Sequence, residues 1–283
     1  MHFHFPFTPL EILWTLTFAA QLVLLVVLLG RERLARYPWF TASIVVLTFR
    51  ALCARLLFHR IAQLTFSGIL ITLADIGAVI GLLVVVEMAR TGFRGVRRQI
   101  WIPVAIVALA LGALTLAFWG PWPAWKSLNA GSRLGALLLM QLIAQKGELL
   151  VGVLTVQLGI LVLLFGRRFK AGWRTHTQRI VIGLSTAAMA RLVFAGALEV
   201  IAKHASVKSR QDYDQLLGLG DKFTNANNAI YLVVLVWWIA CLWMDSLGAT
   251  KAEPSLPPLK KKLIEPQPGR PAAADPLTAD RRS

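Results

Sequence analysis

Seven apolar stretches of about twenty residues each constrain the fold of this 283-residue chain more than any other feature. A helix needs that length to cross the hydrocarbon core of a bilayer, because each residue advances it by about 1.5 Å. Since lipid offers no hydrogen bonds, each stretch must satisfy its own backbone as a helix. The sequence predicts an all-α integral membrane protein, a bundle of seven transmembrane helices over residues 10–30, 38–58, 67–89, 100–119, 146–166, 179–202 and 227–247.

The overall composition is that of a membrane protein, with 57% hydrophobic residues and a mean hydropathy of +0.63. The formal net charge of +16 would favour nucleic-acid binding if the cations covered a soluble face. They lie instead between the apolar stretches and in the C-terminal segment. We therefore expect the lipid bilayer, with anionic lipids at the inner leaflet, as the partner of these cations, and no nucleic acid.

The cations are distributed unequally between the two sides of the predicted bundle, which predicts its orientation. With seven spans, 19 Lys and Arg residues fall on one side and 7 on the other. Lys and Arg are retained in cytoplasmic loops during insertion, so we expect the N-terminus outside and the C-terminus in the cytoplasm. The sequence shows no organelle-targeting signal, and we expect the inner (plasma) membrane of a bacterium.

Two segments fall outside the predicted spans. Residues 133–145, RLGALLLMQLIAQ, are too few to cross the membrane and form either an interfacial helix or an extension of the fifth span. Residues 248–283 are rich in Pro, Ala and charge without apolar periodicity. They cannot bury enough surface to offset the entropy of ordering, so the membrane domain at 1–247 is followed by a disordered basic cytoplasmic tail.

Similar sequences at corresponding helix ends indicate an internal repeat. Gly30 and Arg31 match Gly166 and Arg167 at the ends of the first and fifth spans. Arg50 in the second span and Arg191 in the sixth lie at similar distances from the cytoplasmic boundary. Spans 1–3 and 5–7 would then be parallel repeats joined by the fourth span, a 3+1+3 arrangement found in some transporters. The alternative is that helix ends in membrane proteins resemble one another.

Four polar side chains inside the spans form the candidate ligand-binding site: Arg50, Asp75, Gln157 and Arg191. Counted from the span boundaries, all four come to about one depth, and charged groups at such depth face a bundle interior or a cavity. One arginine would pair with Asp75 and leave the other for an anionic or carboxylate ligand. Alternatively, the charges form a closed network that only fixes helix packing. Lys146 and Glu148 are expected at the outer interface or a cavity mouth.

The sequence carries none of the motifs that would indicate catalysis or a cofactor. It contains no H-E-x-x-H, no G-x-S-x-G and no Walker loop, and the five histidines match no strict metal-ligand spacing. The seventh span has no lysine at its middle for a retinal Schiff base. We expect no enzyme activity, no cofactor and no metal site.

Two functions remain consistent with the sequence. The first is a non-enzymatic sensor, receptor-like module or scaffold that signals through a cytoplasmic protein partner, since the tail is too short to be a signalling domain. The second is a transporter or channel for a small anion or carboxylate, with its site at the level of the four polar side chains. Transport requires a water-accessible path from both sides, whereas a sensor requires an outer pocket alone.

The predicted orientation can be tested by thiol labelling in a background where Cys53 and Cys241 are replaced by alanine. A membrane-impermeant maleimide should label the variant S127C in intact cells, because Ser127 follows the fourth span on the outer side. The variant A279C should react only after the membrane is permeabilised. The reverse pattern would contradict the orientation.

Overall fold

The described residues form seven α-helices in a computed structural model that covers 9–30, 33–58, 60–93, 98–119, 122, 133–165, 176–204 and 210–244. All belong to the first of two compact units, Met1–Ser246. The predicted tail at 248–283 and the loop at 166–175 lie outside the described residues. The helices are α1 (Pro9–Gly30), α2 (Pro38–Leu57), α3 (Gln63–Gly92), α4 (Arg98–Phe118), α5 (Arg133–Phe165), α6 (His176–His204) and α7 (Arg210–Trp243).

Six of these helices are long and apolar enough to cross a membrane, namely α1, α2, α3, α5, α6 and α7. In α4 the apolar segment is the shorter Ile102–Phe118. The prediction of an all-helical chain is confirmed for the described residues. Each of the seven apolar stretches lies mainly in a separate helix, and six helices meet the length and composition of a span.

Two helices begin well before the predicted spans. Helix α5 is continuous from Arg133, so the segment 133–145 extends the fifth span rather than forming a separate interfacial helix. Helix α7 begins at Arg210, although the predicted span began at 227. Low hydropathy excludes polar residues such as Asp214 and Asp221 from a predicted span, but a helix can continue past its apolar segment, because its hydrogen bonds join backbone groups. Both helices are about 50 Å long at 1.5 Å per residue.

Six helices form a closed ring in the order α1, α2, α3, α5, α6, α7, with α7 packed against α1. Helix α3 also touches α6 across the ring. Helix α4 packs against α5 and against none of the other described helices to a comparable extent. It therefore lies outside the ring.

The position of α4 follows from the direction of its neighbours. A Cβ added at Gly68 would meet Leu137, and one added at Gly81 would meet Val151, so paired positions advance together along α3 and α5. These two neighbours are therefore parallel, and the chain must return to the start of α5 between them. Helix α4 makes that return. It runs antiparallel along α5, with Gly112 against Leu150.

The hydrophobic core is concentrated at one end of the ring, where α1, α3 and α7 finish and α2 and α6 begin. We call this the closed end. Trp238 of α7 packs edge-on against Phe40 of α2, with ring centroids 5.1 Å apart. The hydroxyls of Tyr37 and Thr177 lie 2.9 Å apart and are buried. The fully buried residues here are Leu24, Leu28, Tyr37, Phe40, Ile44, Met88, Ile180, Val181, Leu235, Trp238 and Leu242.

A carboxylate fastens the start of α2 to the end of α3 at the closed end. Glu87 accepts hydrogen bonds from the backbone N–H of Phe40 at 3.0 Å and of Trp39 at 3.3 Å. The first N–H groups of a helix have no partner within the helix and carry partial positive charge. Glu87 therefore caps α2 from a neighbouring helix.

Gly183 allows α6 to pack closely against Trp238 of α7 at the closed end. The variant G183A tests this contact. A Cβ there would lie 2.7 Å from Cε2 of Trp238. Because the indole is enclosed, we expect a loss of about 1–3 kcal/mol in the free energy of unfolding, measured in micelles with denaturant. The matched control is G77A in α3, where a Cβ meets nothing within 4 Å. Alanine is the better helix former, so G77A should be neutral or stabilising. Equal effects of the two variants would contradict the packing.

Candidate functional site

Glu148 projects into the ring from the middle of α5. Val151 of α5 packs against α3 at Gly81, and Gly152 packs against α6 at Leu192. Glu148 lies three and four residues before these positions, so it shares the helix face between the two contacts. That face points between α3 and α6, toward the interior of the ring.

Two arginines from other helices bind this carboxylate. Nη1 of Arg50 in α2 donates to Oε1 of Glu148 at 3.0 Å, and Nη2 of Arg191 in α6 donates to Oε2. Helix α3 separates α2 from α5 in the ring, so Arg50 reaches past it. We call Arg50, Glu148 and Arg191 the Arg–Glu–Arg cluster. It joins three helices and carries a net charge of +1.

The cluster keeps hydrogen-bonding capacity after its own pairs have formed. A guanidinium has five N–H donors, and each arginine is recorded giving one to Glu148. The side chains are partly accessible, with relative exposures of 39% for Arg50, 20% for Glu148 and 55% for Arg191. The carboxylate is thus the most enclosed member, and the guanidinium groups present donors to the space above it.

Along α7, exposure increases away from the closed end. Trp238, Tyr231, Thr224 and Leu217 repeat every seven residues along the inward face of α7. Exposure along this line rises from 1% at Trp238 to 52% at Leu217. On α6 the same change occurs from Ile180, which is fully buried, to Arg191. We call the second end of the ring, where the described side chains are less buried, the open end, and the cluster lies between the two ends.

Polar groups of α1 and α7 lie at a similar level on another wall of the ring. Nε2 of Gln21 donates to the hydroxyl of Tyr231 at 3.4 Å. Gln21 is 4% exposed, and its Oε1, like Oγ1 of Thr17, is buried with no hydrogen-bond partner. Thr17 and Gln21 continue the inward stripe of Leu24 and Leu28. Gln21 and Tyr231 thus form a polar contact between α1 and α7 among buried residues.

The structure brings together two of the four predicted site residues. Arg50 and Arg191 meet, but through Glu148 rather than Asp75. Oδ1 of Asp75 is buried and has no hydrogen-bond partner. Asp75 lies less than one turn before Ala78, and Ala78 contacts Gly147 of α5. The expected Arg–Asp75 pair is therefore replaced by the Arg–Glu–Arg cluster.

Gln157 lies away from the other three side chains. It follows Glu148 by nine residues on α5, which is two and a half turns and about 14 Å. Its side chain is therefore on the opposite side of α5, and its Oε1 is buried with no hydrogen-bond partner. Equal depth was inferred from assumed span boundaries, and depth does not specify which face of a helix a residue occupies.

Glu148 was missed because the fifth span was predicted to begin at residue 146. With α5 starting at Arg133, Glu148 falls at mid-helix instead of at an outer boundary. The available signal was the unbroken apolar run 133–145, which contains no proline and joins directly to the predicted span.

Lys146, the neighbour of Glu148 in the sequence, has a separate structural contact. Its Nζ donates to the carbonyl oxygens of Trp119 at 2.6 Å and Leu116 at 3.3 Å. It also lies 4.4 Å from the ring centroid of Trp122. A cation at a helix C-terminus satisfies carbonyls that lack partners within the helix. Lys146 therefore fastens the end of α4 to α5, on a different side of α5 from the cluster.

Comparison with known proteins gives no match: no family model, no curated protein and no solved structure is similar to the chain. The chemistry of the site is therefore interpreted from its own geometry.

The variant E148Q tests whether the cluster holds the ring together. Glutamine keeps the shape but leaves two guanidinium groups without a counter-charge, so we expect a loss of about 1–2 kcal/mol in the free energy of unfolding, reduced by partial exposure. The double variant E148Q/R191Q should recover part of this loss, because it removes one of the repelling charges.

The matched control is E11Q, which weakens the exposed pair of Glu11 with Arg55 at 3.2 Å. Exposed pairs contribute about 0–1 kcal/mol, so E11Q should have the smaller effect. A loss in E148Q no greater than that in E11Q would mean that the cluster does not stabilise the ring.

Proposed function

We propose that this chain is a seven-helix plasma-membrane protein that binds a small anion or carboxylate in the open half of its ring. In this proposal it acts as a sensor or receptor-like module and has no enzyme activity. The observation that carries the proposal is the Arg–Glu–Arg cluster at the boundary between the packed and open halves of the interior. The second candidate is a transporter for the same class of solute.

The charge and donors of the cluster support an anionic ligand. Arg50 and Arg191 together exceed Glu148 by one positive charge, and their remaining N–H groups can bind a carboxylate in a planar, paired geometry. Arg50 and Arg191 are 39% and 55% exposed, so a solute can reach them, and the neighbouring apolar helices reduce the screening of their charges only in part. The groups of Gln21 and Thr17 could bind a second polar part of the solute.

Packing at the closed end favours a sensor over a transporter. Tyr37, Phe40 and Trp238 fill the ring below the cluster and are almost wholly buried. A solute that binds from the open end therefore meets a packed core. A sensor could use this arrangement directly, by shifting helices whose contacts at the closed end are tight.

The order of the helices supports the transporter as the second candidate. If α1–α3 and α5–α7 are parallel repeats, α1 corresponds to α5 and α3 to α7. The contact of α3 with α5 then corresponds to the contact of α7 with α1, and both are present. Parallel repeats of this kind occur in transporters, where α4 would serve as the linker that the 3+1+3 arrangement requires.

The proposal includes an orientation of the ring in the membrane. The described cations Arg33 and Arg36 lie beside the closed end, as does Arg90 at the end of α3. If positive charge is retained inside, the closed end faces the cytoplasm and the open end faces outward. The ligand would then arrive from outside, and a cytoplasmic protein partner would contact the basic loops.

The variant R191Q tests the ligand site. We expect sodium salts of two- to six-carbon monocarboxylates to raise the thermal midpoint of the wild-type protein above that in equimolar sodium chloride. A ligand at 100 times its Kd stabilises by about 2.7 kcal/mol. In R191Q the net charge of the cluster falls to zero, and the carboxylate-dependent rise should disappear.

The matched control is K222Q, which removes the same charge from an exposed position on α7. It should keep the carboxylate response. An equal response in R191Q and wild type, or none in wild type, would contradict the site. Uptake of the stabilising carboxylate into proteoliposomes would select the transporter, and binding without uptake would select the sensor.

A further inference from the structure

A cavity of about 440 Å³ lies between α4 and α6. Its lining on α6 is centred on the far side of that helix from the cluster, because Val193, Ala197 and Val200 lie about 180° to 240° from Arg191 around the helix. The cavity is therefore a groove on the outer surface of the ring, where a membrane protein meets lipid. Its sides are apolar, formed mainly by Phe118 and Trp119 of α4 and by Leu192, Val193, Ala197 and Val200 of α6.

One end of the groove carries a pair of opposite charges. Nζ of Lys203 lies 2.8 Å from Oε1 of Glu199, one turn apart on α6, and both residues line the groove. Lys203 is 70% exposed and Glu199 28% exposed. The groove thus joins an apolar channel to a site with one positive and one negative group.

Two contacts fix the shape of the groove. A Cβ at Gly196 would lie 2.9 Å from Cζ2 of Trp119, so glycine permits the end of α4 to approach α6 closely. Lys146 binds the carbonyl oxygens of Trp119 and Leu116 and holds that end of α4 on α5. The walls are therefore held in place by contacts within the protein, which lowers the ordering cost of binding.

We propose that this groove binds one membrane phospholipid with a zwitterionic headgroup. An acyl chain would lie along the apolar walls, the phosphate would face Lys203 and the ammonium group would face Glu199. The two protein charges cancel, so a phospholipid with net negative charge gains less from this end than one that carries both charges. The bilayer supplies such lipids wherever the outer surface of the ring meets it.

The experiment uses the variant A197F, which places an aromatic ring in the groove. Purified protein is delipidated, exposed to an equimolar mixture of phosphatidylethanolamine and phosphatidylglycerol in micelles, and the lipid retained per chain is counted by mass spectrometry. Wild type should retain phosphatidylethanolamine preferentially. A197F should retain about tenfold less or lower, since each displaced methylene weakens binding several-fold.

The matched control is V233F, which adds the same ring to a lipid-exposed site on α7, where Val233 is 69% exposed. It should retain lipid as wild type does. The variant E199Q should shift retention toward phosphatidylglycerol, because it leaves Lys203 without its negative neighbour. Equal retention by A197F and V233F, preference of wild type for phosphatidylglycerol, or a dimer that covers the groove would overturn the proposal.

This test is independent of the proposed carboxylate site. A197F lies on the outer surface, so its carboxylate-dependent thermal shift should match that of wild type. Loss of lipid with a normal carboxylate response supports the lipid site alone.

Discussion

One carboxylate shared by two guanidinium groups joins three helices of the ring and constrains how they can be arranged. Charged groups among apolar helices are costly unless they are paired and hydrogen-bonded. Glu148 supplies both oxygens, one to Arg50 and one to Arg191. Because these residues come from α2, α5 and α6, the charges can be satisfied only when the three helices stand in one relation to each other. The cluster thus contributes specificity of arrangement as well as attraction.

The two halves of the ring differ in how tightly their side chains pack. This difference determines whether the cluster is enclosed or accessible. Large residues such as Trp238 and Phe40 exclude water at the closed end. Toward the open end the inward positions become Thr224 and Leu217, which are exposed. An Arg–Glu–Arg cluster inside a packed core would be structural. At the edge of the packed core, the partly exposed cluster is the basis of the carboxylate site that we propose.

The sequence predicted the helices well, but it predicted the contacts among the polar side chains only in part. Hydropathy reports segment length, so seven apolar stretches correspond to seven helices. It does not report polar extensions, so the start of α7 at Arg210 was missed. To predict a site, one must know the depth of each side chain in the membrane, the helix face it occupies and the group it contacts. Arg50 and Arg191 were singled out because guanidinium groups inside spans are rare, and they do share a partner in Glu148. Gln157 was included on an assumed depth, but it lies on the opposite side of α5 from Glu148.

The parallel direction of α3 and α5 explains why α4 lies outside the ring. Neighbours that run in the same direction need a connecting element that crosses back, and α4 supplies it without entering the ring. Six helices can then close around an interior while the seventh stands outside against α5. Among the described helices, α4 packs extensively against α5 alone. The side of α4 that faces α6 is therefore not packed along its length against the ring. The position of α4 outside the ring thus also forms the groove between α4 and α6.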